Sequence, residues 1–516
     1  MHTPARDDAT ALLIDGATVT WIGDEDDAAA QSHTQVVDLQ HAFVTPAFVD
    51  AHVHATATGL ALTGLDLRGA VSLTEALRQV ESAARAARGR PLLGGGWDDT
   101  RWPERRPPTA AELDRASYGG VVYLARIDVH SAVASSALMA AVPDLASRAG
   151  YRPDGRLHGP AHDAVRTAAQ AAITPGQRRD AQRAALRRAA ELGIACVHEM
   201  AGPVISSEDD LLALLRLARD EPMPQVVAYW AELLGTDRAR ELGAVGAAGD
   251  LFCDGSLGSH TAALRRPYAD LPDDCGALRF DTGAVTEHIV RCVEAGLQAG
   301  FHAIGDAAVD QVLDAVEAAT ARLGRPAGPG SRVEHAEFVH DPARLAASGL
   351  TASAQPCFDA LWGGADGMYA QRLGVDRARL LNRFADLAAA GVPLAFGSDA
   401  PVTELGPWAA VRAAAFPHEP SAALSEVDAF AAHTRGGWRA GGATRERGVL
   451  EPGAAATFAV WRPGAPLDDP VPGRAGSATL PAIDPAHELP ACLATVLRGQ
   501  IIFDTGLFAE IAAEAQ

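Results

Sequence analysis

The sequence predicts an α/β protein: a (β/α)8 TIM-type barrel, with a small β-sandwich domain formed by both chain ends and an inserted subdomain. Three observations support this prediction. Eight short apolar runs, each ending on polar residues, alternate with helix-like segments rich in Ala, Leu and Arg. Strand-like runs separated by turns occupy both ends of the chain. About 140 residues separate the first apolar run of the barrel from the second, far more than one crossover needs.

The β-sandwich domain is predicted from the two chain ends, residues 1–45 and 450–516. Both ends contain short apolar runs with Gly, Asp and Pro between them, a pattern typical of short strands joined by turns. The runs are Ala11–Ile14, Val19–Ile22, Gln35–Leu39, Thr457–Trp461, Ala494–Leu497 and Gln500–Asp504.

The barrel is predicted over residues 46–449. Strands that alternate with helices form parallel β/α units, and eight such units indicate a closed barrel. The long gap after the first run predicts an inserted subdomain at residues 65–175, with a strand of its own at Val121–Ile127. The eight runs are Pro46–His52, Gly193–His198, Pro224–Trp230, Gly249–Asp254, Leu297–His302, Arg332–His335, Leu350–Gln355 and Val392–Asp399.

Composition restricts the partners and the compartment. The formal net charge of −21 argues against binding of nucleic acid or of an anionic membrane surface, since both need a basic face. No stretch approaches the ~18 uninterrupted apolar residues of a membrane span, and the first residues lack a signal-peptide core. The six scattered cysteines are typical of free thiols in a reducing cytoplasm. We therefore expect a cytoplasmic protein with a small-molecule substrate; a homo-oligomer remains open.

Polar residues at the ends of four predicted strands suggest a metal site. His52 and His54 are two positions apart, so on a strand both imidazoles point to the same side. His302, His335 and Asp399 end the fifth, sixth and eighth runs. Each residue alone could be an ordinary polar strand end, but barrel enzymes collect their chemistry at the carboxyl ends of the strands. Such a nitrogen-rich set with one carboxylate suits zinc, iron or manganese, with a position left open for water.

Several motifs in order give the chain a strong resemblance to the amidohydrolase superfamily. The most similar branch is amidohydrolase family 3, which includes N-substituted formamide deformylases. The resemblance implies a (β/α)8 barrel with a flanking β-sandwich and a family-specific insertion, and a divalent metal held by the residues above. The matching motifs are Thr45–His54, Gly94–Asp98, Arg126–His130, Asp254–Gly258, His302–Asp306, Val333–His335, Gly397–Val402 and Gly448–Gly453.

The fourth strand departs from this branch. Related chains commonly carry a lysine there that can be carboxylated to bridge two metals, whereas this chain has Asp250 and contains no lysine at all. Either Asp250 supplies the bridging carboxylate, or the site holds one metal, as in the deaminases of the superfamily. Because aspartate is several atoms shorter than carboxylated lysine, the sequence favours one ion, with zinc preferred over iron or manganese. Asp250 would then be a weak second ligand or would only orient the ligands.

The resemblance also implies roles for the site residues. The metal would lower the pKa of bound water. Asp399 would ligate the metal, accept the water proton and pass it to the leaving group. His335 would polarise the electrophile in a one-ion site or bind the second ion in a two-ion site. His52, His54 and His302 would hold metal in either case.

Substrate contacts are expected from the insertion and from the seventh strand. Trp97, Arg126 and His130 lie in matched motifs of the insertion, and Gln355 ends the seventh strand. The alternative is structural: Trp97 would pack the subdomain and Arg126 would pair with a carboxylate.

The leading hypothesis is metal-dependent hydrolysis of a non-peptide C–N bond, in an amide or N-substituted formamide. A hydrolytic deaminase acting on an amine-bearing heterocycle is the alternative, because it matches a single metal. A catalytically inactive scaffold is disfavoured, since all five metal residues are present.

Overall fold

The strands and helices of the chain fall into two units, Met1–His54 with Leu186–Gln516, and Ala55–Ala185. The structure, a computed structural model, describes residues 1–6, 8–39, 42–99, 102–126, 131–443, 448–464 and 480–508. The strands are β1 (Ala11–Asp15), β2 (Thr18–Gly23), β3 (Phe43–Pro46), β4 (Phe48–Val53), β5 (Leu65–Asp66), β6 (Leu92–Trp97), β7 (Val122–Arg126), β8 (Ser131–Ala134), β9 (Arg156–His158), β10 (Ile194–Ala201), β11 (Gln225–Trp230), β12 (Gly246–Ala247), β13 (Gln298–Ala303), β14 (Arg332–His335), β15 (Thr351–Ala354), β16 (Leu394–Phe396), β17 (Phe458–Arg462), β18 (Ala491–Leu497) and β19 (Gln500–Asp504).

The α-helices lie between these strands. They are α1 (Glu25–Ala28), α2 (Ala55–Thr63), α3 (Leu73–Ala87), α4 (Ala110–Ala116), α5 (Ser136–Ala140), α6 (Gly159–Ala172), α7 (Pro175–Glu191), α8 (Glu208–Asp220), α9 (Thr236–Glu241), α10 (Thr282–Ala295), α11 (Asp306–Leu323), α12 (Pro342–Ser348), α13 (Pro356–Trp362), α14 (Met368–Leu373), α15 (Val375–Ala378), α16 (Phe384–Ala389), α17 (Pro407–Ala415), α18 (Glu426–Ala431) and α19 (Gly437–Ala440). A π-helical turn, Ala432–Gly436, joins the last two. Among the described residues, none of the helices is both long and apolar enough to span a membrane.

Eight parallel strands form the barrel of the first unit, in the order β16-β15-β14-β13-β12-β11-β10-β4. The two outer strands of this order meet just beyond their ends. The Asp399 backbone N–H donates to the His52 carbonyl at 2.8 Å, and the His54 N–H donates to the Ala400 carbonyl at 3.0 Å. These contacts nearly close the sheet, and the predicted (β/α)8 barrel with accompanying antiparallel sheets is confirmed.

Local sequence determines where the barrel elements begin and end. β10 is buried along its whole length, as expected for a parallel strand covered on both faces. α10 begins after Asp281, whose side chain accepts a hydrogen bond from the Ala284 N–H, and ends at Gly296. Gly296 has φ +68°, a left-handed conformation that glycine adopts without steric cost. The capped helix leads directly into β13, which carries His302.

The fourth barrel strand differs from its prediction. The sequence predicts a strand at Gly249–Asp254, but β12 ends at Ala247 and the chain pairs with β13 again only at Phe252. The break lies at Gly249, where φ is +97° and the carbonyl accepts a hydrogen bond from Leu251 two residues later. Four residues lie between Ala247 and Phe252, whereas two lie between their partners Ala299 and His302. The fourth strand therefore contains a bulge of two extra residues.

The chain ends form two antiparallel sheets. β1 pairs with β2, and a second sheet has the order β19-β18-β17-β3. Apolar residues from both ends, among them Val19, Val44, Phe458 and Val496, form one buried cluster. The run predicted at Gln35–Leu39 is not a strand, and Val36 is 71% exposed there. The strand of this region is β3, which begins eight residues after the start of that run.

The second unit, Ala55–Ala185, contains a sheet of its own. The order is β5-β6-β7-β8-β9. β5, β6 and β7 are parallel to one another, β8 is antiparallel to β7, and β9 is antiparallel to β8. Apolar clusters lie on its strands and helices, one around Trp97 and Trp102 and another around Tyr123 and Leu157. The unit extends beyond the predicted insertion, residues 65–175, at both ends.

Candidate metal centre

Five of the predicted site residues come together at the carboxyl ends of the barrel strands. His52 lies on β4 with His54 just beyond it, His302 lies on β13, His335 ends β14, and Asp399 follows β16. Four of the five are buried, and His54 is half-buried. The polar ends of strands that are distant in sequence therefore share one small volume, as the barrel geometry requires.

Each imidazole uses one ring nitrogen to bond to the surrounding protein. The four partners are oxygen acceptors, so the bonded nitrogen carries the proton and the other nitrogen keeps its lone pair. The bonds are His52 Nδ1 to Glu334 Oε2 at 2.9 Å, His54 Nδ1 to the Met200 carbonyl at 3.1 Å, His302 Nε2 to the Gly255 carbonyl at 3.0 Å, and His335 Nδ1 to Gln355 Oε1 at 2.8 Å.

The four unprotonated nitrogens face two carboxylates. Asp250 is near all of them: its Oδ2 lies 3.4 Å from His52 Nε2 and 3.1 Å from His54 Nε2. Its Oδ1 lies 3.5 Å from His302 Nδ1 and 3.4 Å from His335 Nε2. Asp399 Oδ1 lies 3.5 Å from His52 Nε2 and 3.2 Å from His54 Nε2. Nitrogen lone pairs and carboxylate oxygens thus face one another with no hydrogen-bond donor between them. Only a cation or added protons can balance their negative charge.

These separations fit a divalent metal. Ligand atoms about 2.0–2.1 Å from a tetrahedral zinc ion lie roughly 3.3 Å from one another, which matches the distances found here. Among the described residues, His52, His54 and Asp399 form one group whose ligand atoms all lie within 4.8 Å, and His52, Asp250 and His335 form another. The donor set of imidazole nitrogens and carboxylate oxygens suits zinc, iron or manganese.

The charges of the site are strongly coupled. Burial alone would lower the pKa of His52, but the Asp250 and Asp399 carboxylates outweigh it and raise the pKa to about 10. Burial would raise the pKa of Asp250, yet His52, His302 and His335, when they carry positive charge, hold it well below its usual range. The protein therefore strongly favours positive charge between these groups, which a bound cation supplies in place of protons.

A buried ion pair supports His52 from the interior of the barrel. Arg332 donates to both oxygens of Glu334 and also to the Ala51 carbonyl, and Glu334 accepts from His52. The same guanidinium donates to His198 Nδ1 at 3.0 Å and to the Tyr229 hydroxyl at 2.9 Å. The chain of contacts fixes the His52 ring and its tautomer, as a carboxylate behind a metal-binding histidine generally does.

The roles of Arg332 and Glu334 were not predicted from the sequence. Arg332 and Glu334 are two positions apart on β14, a strand whose four residues are all buried, so they face the same side within the barrel. Two opposite charges two positions apart in a predicted buried strand were the available signal. Their partner His52 is 282 residues from Glu334 in sequence, and only the fold brings them together.

Two ligand-bearing positions have unusual backbone conformations. His335 has φ +68° and Asp399 has φ +55°, in the left-handed region that non-glycine residues rarely adopt. Such conformations cost about 1–3 kcal/mol each and persist where the surroundings impose them. His335 is the last residue of β14 and Asp399 lies three residues beyond the end of β16, so both conformations occur where a strand ends.

The predicted substrate-binding residues have different surroundings. Gln355 is 1% exposed and orients His335 through its Oε1. Trp97 is buried in the second unit and donates to the Leu124 carbonyl, and Arg126 pairs with Asp98 at 3.3 Å. These contacts agree with the structural alternative for both residues, and their role in substrate binding stays a prediction. His130 lies outside the described residues.

Aromatic side chains lie against His302 and His335. The Phe252 ring centroid is 4.8 Å from that of His302, and Phe358 stacks on His335 at 6.0 Å. Trp362 extends this surface beyond Phe358, at 4.8 Å between centroids. An apolar wall thus borders one side of the site.

Comparisons with known proteins agree with this description. The amidohydrolase family model matches residues 35–503. The chain is 30% identical over 470 residues to Protein LONG AFTER FAR-RED 3 of Arabidopsis thaliana, covering 83% of this chain and 79% of that protein. It is 25% identical to the N-substituted formamide deformylase of Arthrobacter pascens, covering 88% and 90%. An uncharacterised metal-dependent hydrolase from Pyrococcus furiosus superimposes with a TM-score of 0.74 at 29% identity, covering 87% and 94%.

Proposed function

The chain belongs to amidohydrolase family 3, and on this premise we propose that it is a metal-dependent hydrolase of a non-peptide C–N bond in a small organic amide or N-substituted formamide. One observation supports this most strongly: four imidazole nitrogens with free lone pairs, three of them on buried histidines, face two carboxylates. Zinc is the preferred ion, because the donor set and spacing suit it.

A divalent cation held by these residues would supply Lewis acidity, which makes water nucleophilic near neutral pH. The four histidines would position it through their unprotonated nitrogens. The second oxygen of Asp399, Oδ2, accepts no hydrogen bond from a described residue. Asp399 can therefore accept a proton from water and return it to the leaving nitrogen.

The overall reaction adds one water across the C–N bond. The water oxygen bonds to the acyl carbon, the bond from that carbon to nitrogen breaks, and the nitrogen leaves as an amine carrying the transferred proton. The other product is the carboxylic acid, or formate from a formamide. The apolar wall of Phe252, Phe358 and Trp362 favours a neutral substrate with an apolar group beside the cleaved bond.

Hydrolysis of N-formyl and N-acyl amines by the zinc-loaded protein tests the proposal. We expect acid and amine in equal amounts, loss of activity on chelation, and recovery with zinc. A His52→Ala/His54→Ala variant should be inactive and a His33→Ala variant unchanged, since His33 is exposed and its ring hydrogen-bonds to the carbonyl of the neighbouring Gln31. Ammonia release from amine-bearing heterocycles without acid production would favour deamination. Full activity without bound metal would contradict both reactions.

A further inference from the structure

We propose that Asp250 is the shared ligand of a two-ion centre and that this chain therefore needs no carboxylated lysine to bridge its metals. The inference rests on the metal-dependent function proposed above and concerns how many ions the site holds. It reverses the preference for a single ion that the sequence suggests.

The first support is the division of contacts between the two oxygens of Asp250. Oδ2 faces His52 and His54, the pair that Asp399 also faces. Oδ1 faces the other pair, His302 and His335. A carboxylate that only completed a one-ion site would place a single oxygen among the ligands. Here each oxygen lies 3.1–3.5 Å from two imidazole nitrogens, the oxygen–nitrogen separation expected of two ligands of one ion.

The second support is that the facing atoms of His302 and Asp250 lack other hydrogen-bond partners. His302 Nδ1 and Asp250 Oδ1 are buried and accept no hydrogen bond from the described residues. The opposite nitrogens, His302 Nε2 and His335 Nδ1, are already bonded to oxygen acceptors. Without a second cation, the His302 lone pair and the Asp250 oxygen that faces it would remain buried and uncompensated, which is costly.

The third support is the bulge in the fourth strand, which explains how a short side chain reaches this position. The two extra residues between Ala247 and Phe252 carry the backbone of Asp250 out of the regular strand line. Gly249 permits this with φ +97°, and a Cβ there would lie 2.9 Å from the Met200 sulfur. With the strand bulged at this point, the short Asp250 side chain places its oxygens 3.1–3.5 Å from all four imidazole nitrogens.

The composition of the chain excludes the usual bridging group. The chain contains no lysine, so carbon dioxide cannot generate a bridging carbamate on a lysine anywhere in it. Loading of two ions should therefore be independent of bicarbonate.

Metal binding to the metal-free protein, measured as zinc per chain in carbonate-free buffer, tests the proposal. We expect two ions for the wild type and, for Asp250→Asn, at most one at the same free zinc concentration. Asn keeps the size of the side chain but replaces one oxygen with an N–H donor. Asp310→Asn is the matched control: Asp310 is a partly buried carboxylate that pairs with Arg265, and this variant should still bind two ions. Circular dichroism verifies that each variant is folded.

The outcomes separate this inference from the proposed function. One ion per wild-type chain, with zinc-dependent hydrolysis intact, would overturn the bridge alone. No bound ion would overturn both. Two ions with unchanged affinity in Asp250→Asn, or two ions only after bicarbonate is added, would also overturn the bridge. In the Co²⁺-loaded wild type, we expect electron paramagnetic resonance to reveal magnetic coupling between ions sharing a carboxylate, and its absence would count against the proposal.

Discussion

Substitution of Glu334 by glutamine tests whether the ion pair inside the barrel positions the metal ligand His52. Both Glu334 oxygens accept from Arg332, and Oε2 also accepts from His52. A glutamine amide must therefore direct its NH2 group either at Arg332 alone or at both Arg332 and His52. Each orientation places donors against donors and leaves the Arg332 charge uncompensated.

The magnitude follows from the burial of the pair. Glu334 and Arg332 are at most 1% exposed, and breaking a buried pair by removing one charge costs about 3–5 kcal/mol. Loss of the carboxylate behind a metal-binding histidine weakens metal affinity by about 10–100-fold. Glu334→Gln should therefore lower both the free energy of unfolding of the metal-free protein and its affinity for zinc.

Urea unfolding measures the first effect, and zinc titration against a competing chelator measures the second. Glu317→Gln is the control, because Glu317 pairs with Arg344 on the protein surface and should change neither quantity measurably. If Glu334→Gln matches the wild type in zinc affinity while remaining folded, the ion pair does not position His52.

Three further predictions concern the surroundings of the metal ligands. Gln355→Leu removes the acceptor of His335 Nδ1 and should weaken binding of the more weakly held ion by about 10–100-fold in a zinc titration, with the circular dichroism spectrum retained; unchanged affinity would refute this. Gly249→Ala should lower the free energy of unfolding by about 1–3 kcal/mol and reduce zinc per chain, whereas Gly243→Ala, also at positive φ but in open space, should keep full zinc binding. Burial raises the pKa of Glu337 to about 7, so its ionisation should destabilise the metal-free fold progressively as pH rises from about 4.5 to 7. Glu337→Gln should thus be more stable than the wild type at pH 8 by up to about 3 kcal/mol and equal to it near pH 4, and a gap independent of pH would contradict the assignment.

The sequence was sufficient to predict the barrel and the residues at its strand ends. Apolar runs ending on His52, His302 and His335 could be recognised one at a time, because a strand end and its last side chain are local features. In a parallel barrel those ends meet at one face, so local signals predict a non-local cluster.

The features that could not be predicted from the sequence depend on the register of strand pairing and on how far a side chain extends into the site. The bulge at Gly249 is defined by which residues of β13 pair on either side of it, and no local pattern encodes that pairing. From the length of its side chain alone, Asp250 is too short to bridge two ions. The bulge that changes the position of its backbone cannot be predicted from the sequence. Likewise, Arg332 and Glu334 acquire their role only when β4 and β14 bring His52 beside them.

The most direct test of the account is an anomalous difference map, recorded at the zinc absorption edge, from crystals of the zinc-loaded protein. We expect one peak within ligand distance of His52, His54 and Asp399 and a second within ligand distance of His302 and His335, with Asp250 contacting both. A map with no peak among these residues, or with zinc bound only elsewhere, would contradict the assignment of this site as the catalytic metal centre.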